Sequence, residues 1–501
     1  MLKSKNICPV FLILLLFLAA LMRFAYLPDK ISFLYDQGRD ALIIKDIIEK
    51  GKLTLIGPAT DIPGVFHGVL HYYLMLPGYF LSGGHPLGAL SIYILFNVAA
   101  VYLVFLLGRS LFDRQVGIIA SLIMTTSYGA IAYSRWLSNP SLVPFFMTLL
   151  VYSLYQLTKK KENFFILLAV CWAVIFHAEI VAALFFLPSI LLVFVFTRIK
   201  MPKRRILVAG LFSAALILSS YLFFELRHDF LMSRSAHQFL IKGANVSLSF
   251  NKNIFRIFLE EFEFMILNLR FKMTVFFFLM ALIFLLFRLF TVKRRSGKTS
   301  LLIILFWLMG TPLVLGFYSH AIHHHFLIGL GPGMILFSSY FLVNLLRKKL
   351  PLRLLGLAIL TFILINNLFL WKTALPENRS IKFYGAQQKL TFDNQIKVID
   401  FVYKDAKGKK FRYEALGLPY FLNHAWEYLF SWYGQKEYHY SPEKEGVDLV
   451  YFIIENKIEN SQYQGFKESW LEEKKLVVDF ISETQVDEIA VIRAEKKSNF
   501  E

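Results

Sequence analysis

The amino-acid sequence predicts a polytopic α-helical membrane protein of about eleven transmembrane helices, followed by a small extracytoplasmic α/β domain. Three observations predict this fold class. Of the 501 residues, 56% are hydrophobic and only 18% are charged, whereas soluble globular proteins carry about 25% charged residues. Apolar runs of membrane-spanning length recur along the chain. Basic residues gather in alternate connections between these runs, as the positive-inside rule requires.

The apolar runs match the length that a helix needs to cross a hydrocarbon core of about 30 Å. The fifth run is the shortest, and only the neighbourhood of His177 and Glu179 separates it from the sixth. The first run resembles a signal peptide, but no clean small-x-small cleavage site precedes Asp29, so we expect an uncleaved first span. The predicted spans cover residues 9–27, 86–108, 115–133, 141–158, 164–178, 180–197, 206–225, 272–291, 300–319, 326–346 and 352–371.

The basic connections predict the orientation of the chain. They place the N-terminus in the cytoplasm and the C-terminal domain outside a cytoplasmic (inner) membrane. The large segments 28–85, 226–271 and 372–501 then lie on the extracytoplasmic side. Residues 66–81 are predicted to form an interfacial or re-entrant helix, because a further crossing would break the alternation. The basic connections are residues 109–114, 159–161, 198–205, 293–298 and 347–353, together with Lys3 and Lys5.

The formal net charge of +19 has the same topological explanation. From Lys372 onward, 19 Lys and Arg stand against 21 Asp and Glu, so the basic excess lies in the membrane part. Short basic loops explain it better than nucleic-acid binding, and we expect no nucleic-acid partner. Cys8 and Cys171 provide neither a disulfide framework nor a cysteine metal site.

The last 130 residues change in character. Apolar runs shrink to strand length at residues 448–454 and 475–481, and residues 464–474 between them have an amphipathic helical pattern. These features predict a separate α/β domain over residues 372–501. Residues 413–440 are rich in aromatic side chains that could stack on sugar rings, although such residues in a small domain are more often core.

Ionisable residues gather in the connections predicted to be extracytoplasmic. Such residues are costly at membrane depth, and they usually have a function or a partner. The opposite connections hold mostly Lys and Arg, so the asymmetry predicts a site at the outer face. Its candidate residues are Asp36 and Asp40; His67, His71 and Tyr73; Arg135 and Asn139; His177 and Glu179; Glu225, Arg227, His228 and Asp229; and His320, His323, His324 and His325.

Each group also has a structural interpretation. Asp36 and Asp40 are four residues apart and could form one solvated helix face. Glu179 could cap the sixth helix, where its charge suits the helix dipole. The adjacent histidines could bind a metal ion, but neighbours on a turn rarely point at one ion. His67 and His71 could be packing residues, Arg135 an interfacial anchor, and residues 225–229 an ion-pair network. The site prediction therefore depends on co-location.

The motifs, taken in order, resemble those of the GT-C glycosyltransferase superfamily, specifically glycosyltransferase family 39. That family includes protein O-mannosyltransferases and lipid A aminoarabinose transferases. Its members have an acidic pair, commonly Asp-Glu, after the first span; Asp36 matches the aspartate, whereas Gln37 replaces the glutamate. Tyr133, Ser134 and Arg135 match a segment after the third span. The resemblance extends to residues 67–73, where the family's two prolines are missing, and to residues 224–230 and 325–332. It covers most of residues 1–371.

The resemblance implies a GT-C catalytic domain over residues 1–371, with its first outer loop at 28–85. It implies transfer of a sugar from a polyprenyl-phosphate donor to a glycan, lipid or protein acceptor at the outer membrane face, with inversion. Asp36 would be the general base and Asp40 the second catalytic carboxylate. No cofactor is expected, although a divalent cation stays open. The implied donor-phosphate ligands are Arg135, Arg227, His228, His324 and His325, and the implied substrate-lining residues are His67, His71, Tyr73, Asn139, Glu179 and Glu225.

Two other functions compete with this interpretation. A transporter or flippase of a lipid-linked or anionic substrate would share the many spans. Secondary transporters, however, place their sites near the bilayer midplane at internal repeats, and the sequence contains no detectable repeat. An O-antigen polymerase or ligase would use a lipid-diphosphate donor, and these enzymes lack the early Asp motif.

Overall fold

The computed structural model describes residues 7–27, 29–244, 250–318, 321–375, 390–417, 422–455 and 461–497. His320 lies outside these ranges. The helices of the first half are α1 Ile7–Phe24, α2 Tyr35–Lys50, α3 Leu70–Leu81, α4 Pro86–Leu111, α5 Arg114–Thr126, α6 Tyr128–Ser134, α7 Val143–Thr158, α8 Phe164–Ala178, α9 Ile180–Thr197, α10 Arg204–Ile217 and α11 Ser219–Arg227. A short hairpin, β1 Ile56–Ala59 and β2 Phe66–Gly68, precedes α3.

The second half adds the remaining elements. Its helices are α12 Leu231–Ala244, α13 Asn253–Phe262, α14 Phe271–Thr291, α15 Arg295–Leu315, α16 Gly331–Leu346, α17 Leu350–Thr373, α18 Phe392–Ala406, α19 His424–Leu429, α20 Gln435–Tyr438 and α21 Ser461–Val477. Its strands are β3 Arg412–Leu416, β4 Leu449–Glu455, β5 Val478–Val486 and β6 Ile489–Lys496. One π-helical turn, Glu263–Leu267, follows α13, and a 3₁₀ helix, His324–Leu330, precedes α16.

Helices coincide with all of the predicted spans. Among the described residues, seven helices are long and apolar enough to cross a membrane, or nine if each of two bent pairs is one span. The seven are Pro86–Leu111, Asn139–Thr158, Ile180–Thr197, Phe271–Thr291, Arg295–Leu315, His324–Leu346 and Leu350–Thr373. Pro9–Phe24 and Phe164–Ala178 are shorter apolar helices at the first and fifth predicted spans. The interfacial helix predicted over residues 66–81 is α3, although β2 replaces its first turn.

Two predicted spans are wrong in one respect, because each consists of two helices. Residues 115–133 form α5 and α6 at 61°, and residues 206–225 form α10 and α11 at 53°. At the first break the Ser127 hydroxyl accepts a hydrogen bond from the Ala130 amide, which starts a new helix. The Asn367 side chain accepts another from the Tyr128 amide, at 2.8 Å. Polar side chains thus satisfy backbone groups that a break would leave unpaired in lipid.

Arg23, on α1, binds backbone carbonyls on the α5 side of the same break. Its guanidinium is completely buried and donates to the Met124 carbonyl at 3.1 Å and to the Thr125 carbonyl at 3.5 Å. These carbonyls belong to the last turn of α5, which lacks intrahelical partners for its carbonyl groups. The first helix therefore caps the end of α5 through a single side chain.

The described chain divides into two compact units. The first contains residues 1–25, 53–74 and 90–372, and the second contains residues 26–52, 75–89 and 373–501. In the first unit α16 is the central helix, because every residue in its most apolar stretch is buried. The domain boundary between residues 371 and 372 stays a prediction.

The second unit contains a four-stranded sheet of order β3-β4-β6-β5. Strands β3 and β4 are parallel, and the other two neighbouring pairs are antiparallel. The predicted strand over residues 448–454 is β4, and the predicted amphipathic helix is part of α21. The strand predicted at residues 475–481 starts instead at Val478, because α21 continues to Val477. Trp470 of this helix packs on Phe452 in the core of the sheet.

Helix α2 belongs to the same unit as this sheet. The Gln37 side chain accepts a hydrogen bond from the Leu34 amide at 3.0 Å and so caps the start of the helix. At Gly38 the helix packs directly on α19, where an added Cβ would lie 2.3 Å from the Ala425 nitrogen. The Tyr35 and His424 rings stack with centroids 5.1 Å apart. The start of α2 is thereby fixed to the C-terminal part of the chain.

Candidate active site

The predicted catalytic carboxylates lie in the first two turns of α2. The Asp36 side chain is 57% exposed, whereas that of Asp40 is 4% exposed. Arg39 lies between them, with one guanidinium nitrogen 2.8 Å from Asp36 and another 2.8 Å from Asp40. The interpretation of both as one solvated face is therefore wrong for Asp40. Asp36 is therefore exposed but restrained by an ion pair, and its role as the general base stays a prediction.

Sequence reasoning missed Arg39, although its spacing contains the signal. Residues three apart face the same side of a helix, so Arg39 can reach Asp36. Its immediate neighbour Asp40 accepts a second hydrogen bond, from Arg39 Nε at 2.9 Å. Gln37, at the position where the family has glutamate, is buried and caps the helix rather than facing solvent.

A second cluster surrounds the histidines that precede α16. The His323 and His325 rings stack with centroids 5.3 Å apart. His323 Nε2 lies 3.0 Å from an Asp61 carboxylate oxygen, and His325 Nε2 lies 3.7 Å from one of Glu179. Among the described residues, no three His, Cys, Asp or Glu side chains are placed to hold a metal ion.

His324 lies between two glutamates of α13. Its Nε2 is 3.5 Å from Glu260, and its Nδ1 is 3.8 Å from Glu261. Glu261 is 1% exposed and accepts a hydrogen bond from the Tyr133 hydroxyl at 2.9 Å. Its second oxygen, Oε1, has no hydrogen-bond partner among the described residues. A buried carboxylate with an unused acceptor, next to a π-helical turn, is typical of functional sites.

Sequence reasoning also missed Asp61, Glu260 and Glu261. For Glu261 a signal existed, since Ile254, Phe258 and Glu261 recur at helical spacing and share the buried face of α13. Asp61 gave no such signal, because it lies in the connection between β1 and β2 and meets His323 only through the tertiary fold.

Glu179 joins α8 to α9 and lies outside both helices. The predicted cap is confirmed: its side chain accepts a hydrogen bond from the Val181 amide at 3.3 Å. The carboxyl is buried, and this burial raises its pKa to about 8, with a smaller contribution from the charge on Asp61. Burial thus favours the protonated form of a carboxyl that also caps α9.

Arg135 and Asn139 both bind backbone carbonyls. Arg135 is buried, and its Nη1 donates to the Ala25 carbonyl at 2.5 Å. Asn139 donates its side-chain amide to the Ala178 carbonyl, next to Glu179. Trp136, which follows Arg135, lies edge-on to the His325 ring at a centroid distance of 6.0 Å. Asn139 and Trp136 therefore lie near Glu179 and His325, whereas the contact described for Arg135 is with the backbone just after α1.

The residues predicted after the seventh span do not form an ion-pair network among themselves in the described part of the chain. Glu225 instead accepts hydrogen bonds from the Met232 and Ser233 amides, at 2.8 and 3.1 Å, and so caps α12. Arg227 is exposed. His228 is also exposed, and its ring stacks on Phe224. None of the contacts described for Arg227 and His228 joins them to the histidine cluster.

The predicted residues before and within α3 have mixed environments. His71 is buried and hydrogen-bonded to the Tyr93 hydroxyl, so the packing interpretation fits it best. The Tyr73 hydroxyl donates to the Thr54 carbonyl at 2.9 Å. His67 is half-buried. The adjacent Gly68 packs against His177, whose ring would collide with any Cβ at that position. His177 binds the Ile217 carbonyl and is a packing residue.

Comparison with known proteins adds a family and a fold. Residues 66–227 match the family model of dolichyl-phosphate-mannose-protein mannosyltransferases. The whole chain resembles the crystal structure of ArnT from Cupriavidus metallidurans in the apo state, with a TM-score of 0.62 and 10% identity over 97% of this chain and 98% of that one. The predicted GT-C fold is confirmed by this likeness, and the family match over residues 66–227 agrees with the predicted glycosyltransferase class.

A second structure agrees with this assignment. ArnT from the same organism bound to undecaprenyl phosphate matches with a TM-score of 0.58 and 9% identity, again over 97% and 98% of the two chains. No curated protein sequence matches the chain significantly. At these identities the structural likeness shows the fold alone, and the apolar helices agree with a multi-pass membrane protein. The roles of individual residues remain predictions.

Proposed function

We propose that this GT-C glycosyltransferase transfers a sugar from a polyprenyl-phosphate donor to an acceptor at the extracytoplasmic face of the cytoplasmic membrane. The observation that carries the proposal is the exposed Asp36 carboxylate, fixed by Arg39 at the start of a capped helix. The family description names a dolichyl-phosphate-linked sugar donor, and one ArnT structure contains undecaprenyl phosphate. Both support a lipid-phosphate donor for this chain. The transporter alternative gains no support from the comparisons.

In the proposed reaction Asp36 is the general base. An acceptor hydroxyl loses its proton to the Asp36 carboxylate as its oxygen attacks the anomeric carbon, and the bond to the lipid phosphate breaks. A single displacement inverts the anomeric configuration. Arg39 holds the carboxylate, and Asp40 fixes Arg39 from its buried side. We therefore assign Asp40 a positioning role rather than direct contact with the substrate.

The leaving lipid phosphate needs hydrogen-bond donors as its negative charge develops. Of the five predicted phosphate ligands, we favour His324 and His325. Their rings are half-buried and lie beside carboxylate oxygens. A phosphate oxygen accepts hydrogen bonds as a carboxylate oxygen does, so the same ring nitrogens suit it. Arg135 already donates to the Ala25 carbonyl, and Arg227 and His228 lie exposed at the end of α11. Asn139 and Glu179 would then line the donor site.

The reaction as proposed needs no cofactor. A chelator tests this part directly, since EDTA should leave transfer unchanged, and a loss of transfer restored by Mg²⁺, Mn²⁺ or Zn²⁺ would contradict it. The orientation, with the N-terminus in the cytoplasm, can be tested by cysteine labelling from either side at exposed positions such as Lys348 and Gly446.

The function itself can be tested in proteoliposomes that contain the purified chain. Radiolabelled polyprenyl-phosphate monosaccharides would be offered one at a time, with host membrane extract as the acceptor source. We expect label to pass from at least one donor to an acceptor fraction, and product NMR to show inversion. Movement of an unmodified lipid-linked sugar across the bilayer, without transfer, would overturn the proposal.

A further inference from the structure

We propose that the second unit carries a pocket for one sugar ring of an oligosaccharide acceptor, between α2, the turn after α3, and residues 424–434, which form α19 and the π-helical turn after it. This inference rests on the proposed function, because it names the class of acceptor. The pocket has a volume of about 140 Å³ and lies entirely within the second unit. Its walls are formed chiefly by Lys45, Glu49, Phe80, Gly83, Tyr428 and Trp432.

The aromatic wall is held rigidly in place. Trp432 donates its indole N–H to the Gly83 carbonyl at 2.7 Å, and Tyr428 donates its hydroxyl to the Gly84 carbonyl. The two rings are nearly parallel, at 17°, with centroids 5.8 Å apart. Both glycines have left-handed backbone angles, with φ of 60° and 93°. At Gly84 a Cβ would also lie 2.2 Å from the Trp432 nitrogen, so the turn is shaped around the indole.

The opposite wall is polar. Lys45 and Glu49 are one helical turn apart on α2 and form an ion pair of 2.9 Å. Their side chains are 27% and 50% exposed, so both can still bind a ligand. An ammonium and a carboxylate side by side offer a donor and an acceptor for adjacent hydroxyl groups, through charge-assisted hydrogen bonds.

This combination suits a sugar better than other small ligands. One face of a pyranose ring presents C–H groups that pack on an aromatic face, while its edge presents hydroxyl groups. Drug-sized ligands occupy pockets of about 300–1,000 Å³, so 140 Å³ fits a single ring rather than a long apolar chain. The Lys436 ammonium lies over the Trp432 ring, 5.9 Å from its centre, in a cation–π contact.

The position of the pocket along α2 indicates the length of the acceptor. With a rise of 1.5 Å per residue, Lys45 lies about 14 Å and Glu49 about 20 Å along the helix from Asp36. A ring bound there is too far from Asp36 to carry the hydroxyl that attacks the donor. The acceptor must then contain at least one further sugar, and binding of the distant ring contributes to the affinity for the acceptor.

Direct binding tests the pocket without any turnover. The full chain in lipid nanodiscs would be examined by saturation-transfer NMR and calorimetry with methyl glycosides of glucose, galactose, mannose and N-acetylglucosamine, and with trisaccharides of each. We expect at least one of these to bind and its affinity to fall at least tenfold in Trp432→Ala. Lys45→Met leaves the aromatic wall intact and should lower the affinity to a similar extent. This second variant keeps the test valid if Trp432→Ala misfolds.

Two matched variants in the same unit serve as controls. Phe466 is an exposed aromatic residue of α21, and Lys475 forms an exposed ion pair of 2.6 Å with Glu472 on the same helix. Phe466→Ala and Lys475→Met should bind the glycoside as the wild type does. No binding by any of the sugars, or equal binding by Trp432→Ala, would overturn the pocket, and Trp432 would then be an interfacial anchor beside the exposed Phe80.

Kinetics separate this inference from the proposed function. With a glycan acceptor, Trp432→Ala should raise its KM at least tenfold and leave kcat within about twofold, as expected for lost binding away from the reacting atoms. Transfer with an unchanged acceptor KM would refute the pocket and leave the function intact. Sugar binding without transfer from any donor would refute the function and leave the pocket intact.

Discussion

The Asp36 carboxylate lies 2.8 Å from the guanidinium of Arg39, one turn along the same helix. This contact restrains an acid that is exposed at the surface of the helix. Because Arg39 is itself held by the buried Asp40, the position of Asp36 is determined by the helix and not by the substrate. The two aspartates should therefore respond differently to the same substitution.

The first prediction concerns Asp36→Asn. Loss of a general base lowers the rate by about 10²–10⁴-fold, and we expect such a fall in kcat for sugar transfer. The residue is exposed, and surface changes usually alter stability by less than about 0.5 kcal/mol. The thermal unfolding midpoint should then match that of the wild type. Transfer at the wild-type rate would show that another carboxylate is the general base, with Glu179 as the first candidate.

The companion variant is Asp40→Asn. It leaves the half-buried Arg39 without its inner partner, and breaking a buried pair costs about 3–5 kcal/mol. We expect a lower unfolding midpoint and a smaller loss of kcat per folded molecule than in Asp36→Asn. The reverse pattern, with a stable but inactive Asp40→Asn, would make Asp40 the base.

The second prediction concerns His324, which lies between Glu260 and Glu261. A hydrogen bond to a charged group is worth about 1.5–3 kcal/mol, so His324→Ala should lower kcat/KM for the lipid-phosphate donor by about 10–150-fold. Initial rates at varied donor concentration measure this. His237→Ala removes an exposed histidine of α12 and serves as the control. Equal kcat/KM values in the two variants would show that His324 does not bind the donor.

The third prediction concerns pH and Glu179. Its pKa is raised from 4.5 to about 8, so the folded protein keeps a proton that the unfolded chain releases. Stability from this group is complete below about pH 4.5 and is lost as the pH rises to about 8. Unfolding midpoints of the wild type across this range should fall more steeply than those of Glu179→Gln. Parallel pH profiles would show that the carboxyl titrates normally.

The fourth prediction uses two glycines. In Gly38→Ala the new methyl group would meet the backbone of Ala425, and overpacking of this kind costs about 1–3 kcal/mol. We expect a lower unfolding midpoint together with reduced transfer, because α2 carries Asp36. Gly465, inside α21, has open space around it, so Gly465→Ala should leave the midpoint unchanged or raise it slightly. A Gly38→Ala variant as stable as Gly465→Ala would contradict the close packing of α2 on α19.

Local composition was sufficient to predict the helices of the membrane part. Length and apolar character alone determine whether a segment can span, and each predicted span is helical. The breaks at Ser127 and Leu218 could not be predicted, because Asn367 and Arg23, which stabilise the first of them, are distant in sequence. The strand start at Val478 was misplaced for a simpler reason, since residues 475–477 suit either a helix end or a strand start.

The candidate site was only partly predictable. Asp36 and the histidines stood out because ionisable residues at membrane depth are rare. Their partners did not: Asp61 and Glu260 are single acids within the large segments 28–85 and 226–271 and become informative only once His323 and His324 are placed beside them. Burial separates Asp36 from Asp40, and no local pattern carries that information.

The buried guanidinium of Arg23 constrains how the chain is made. Ribosomes deliver α1 to the membrane before α5, so a charged side chain enters the bilayer ahead of the carbonyls that it binds at Met124 and Thr125. Loss of α1 would remove the donor that these two carbonyls bind. The assembly of the third predicted span therefore depends on a side chain that was made about a hundred residues earlier.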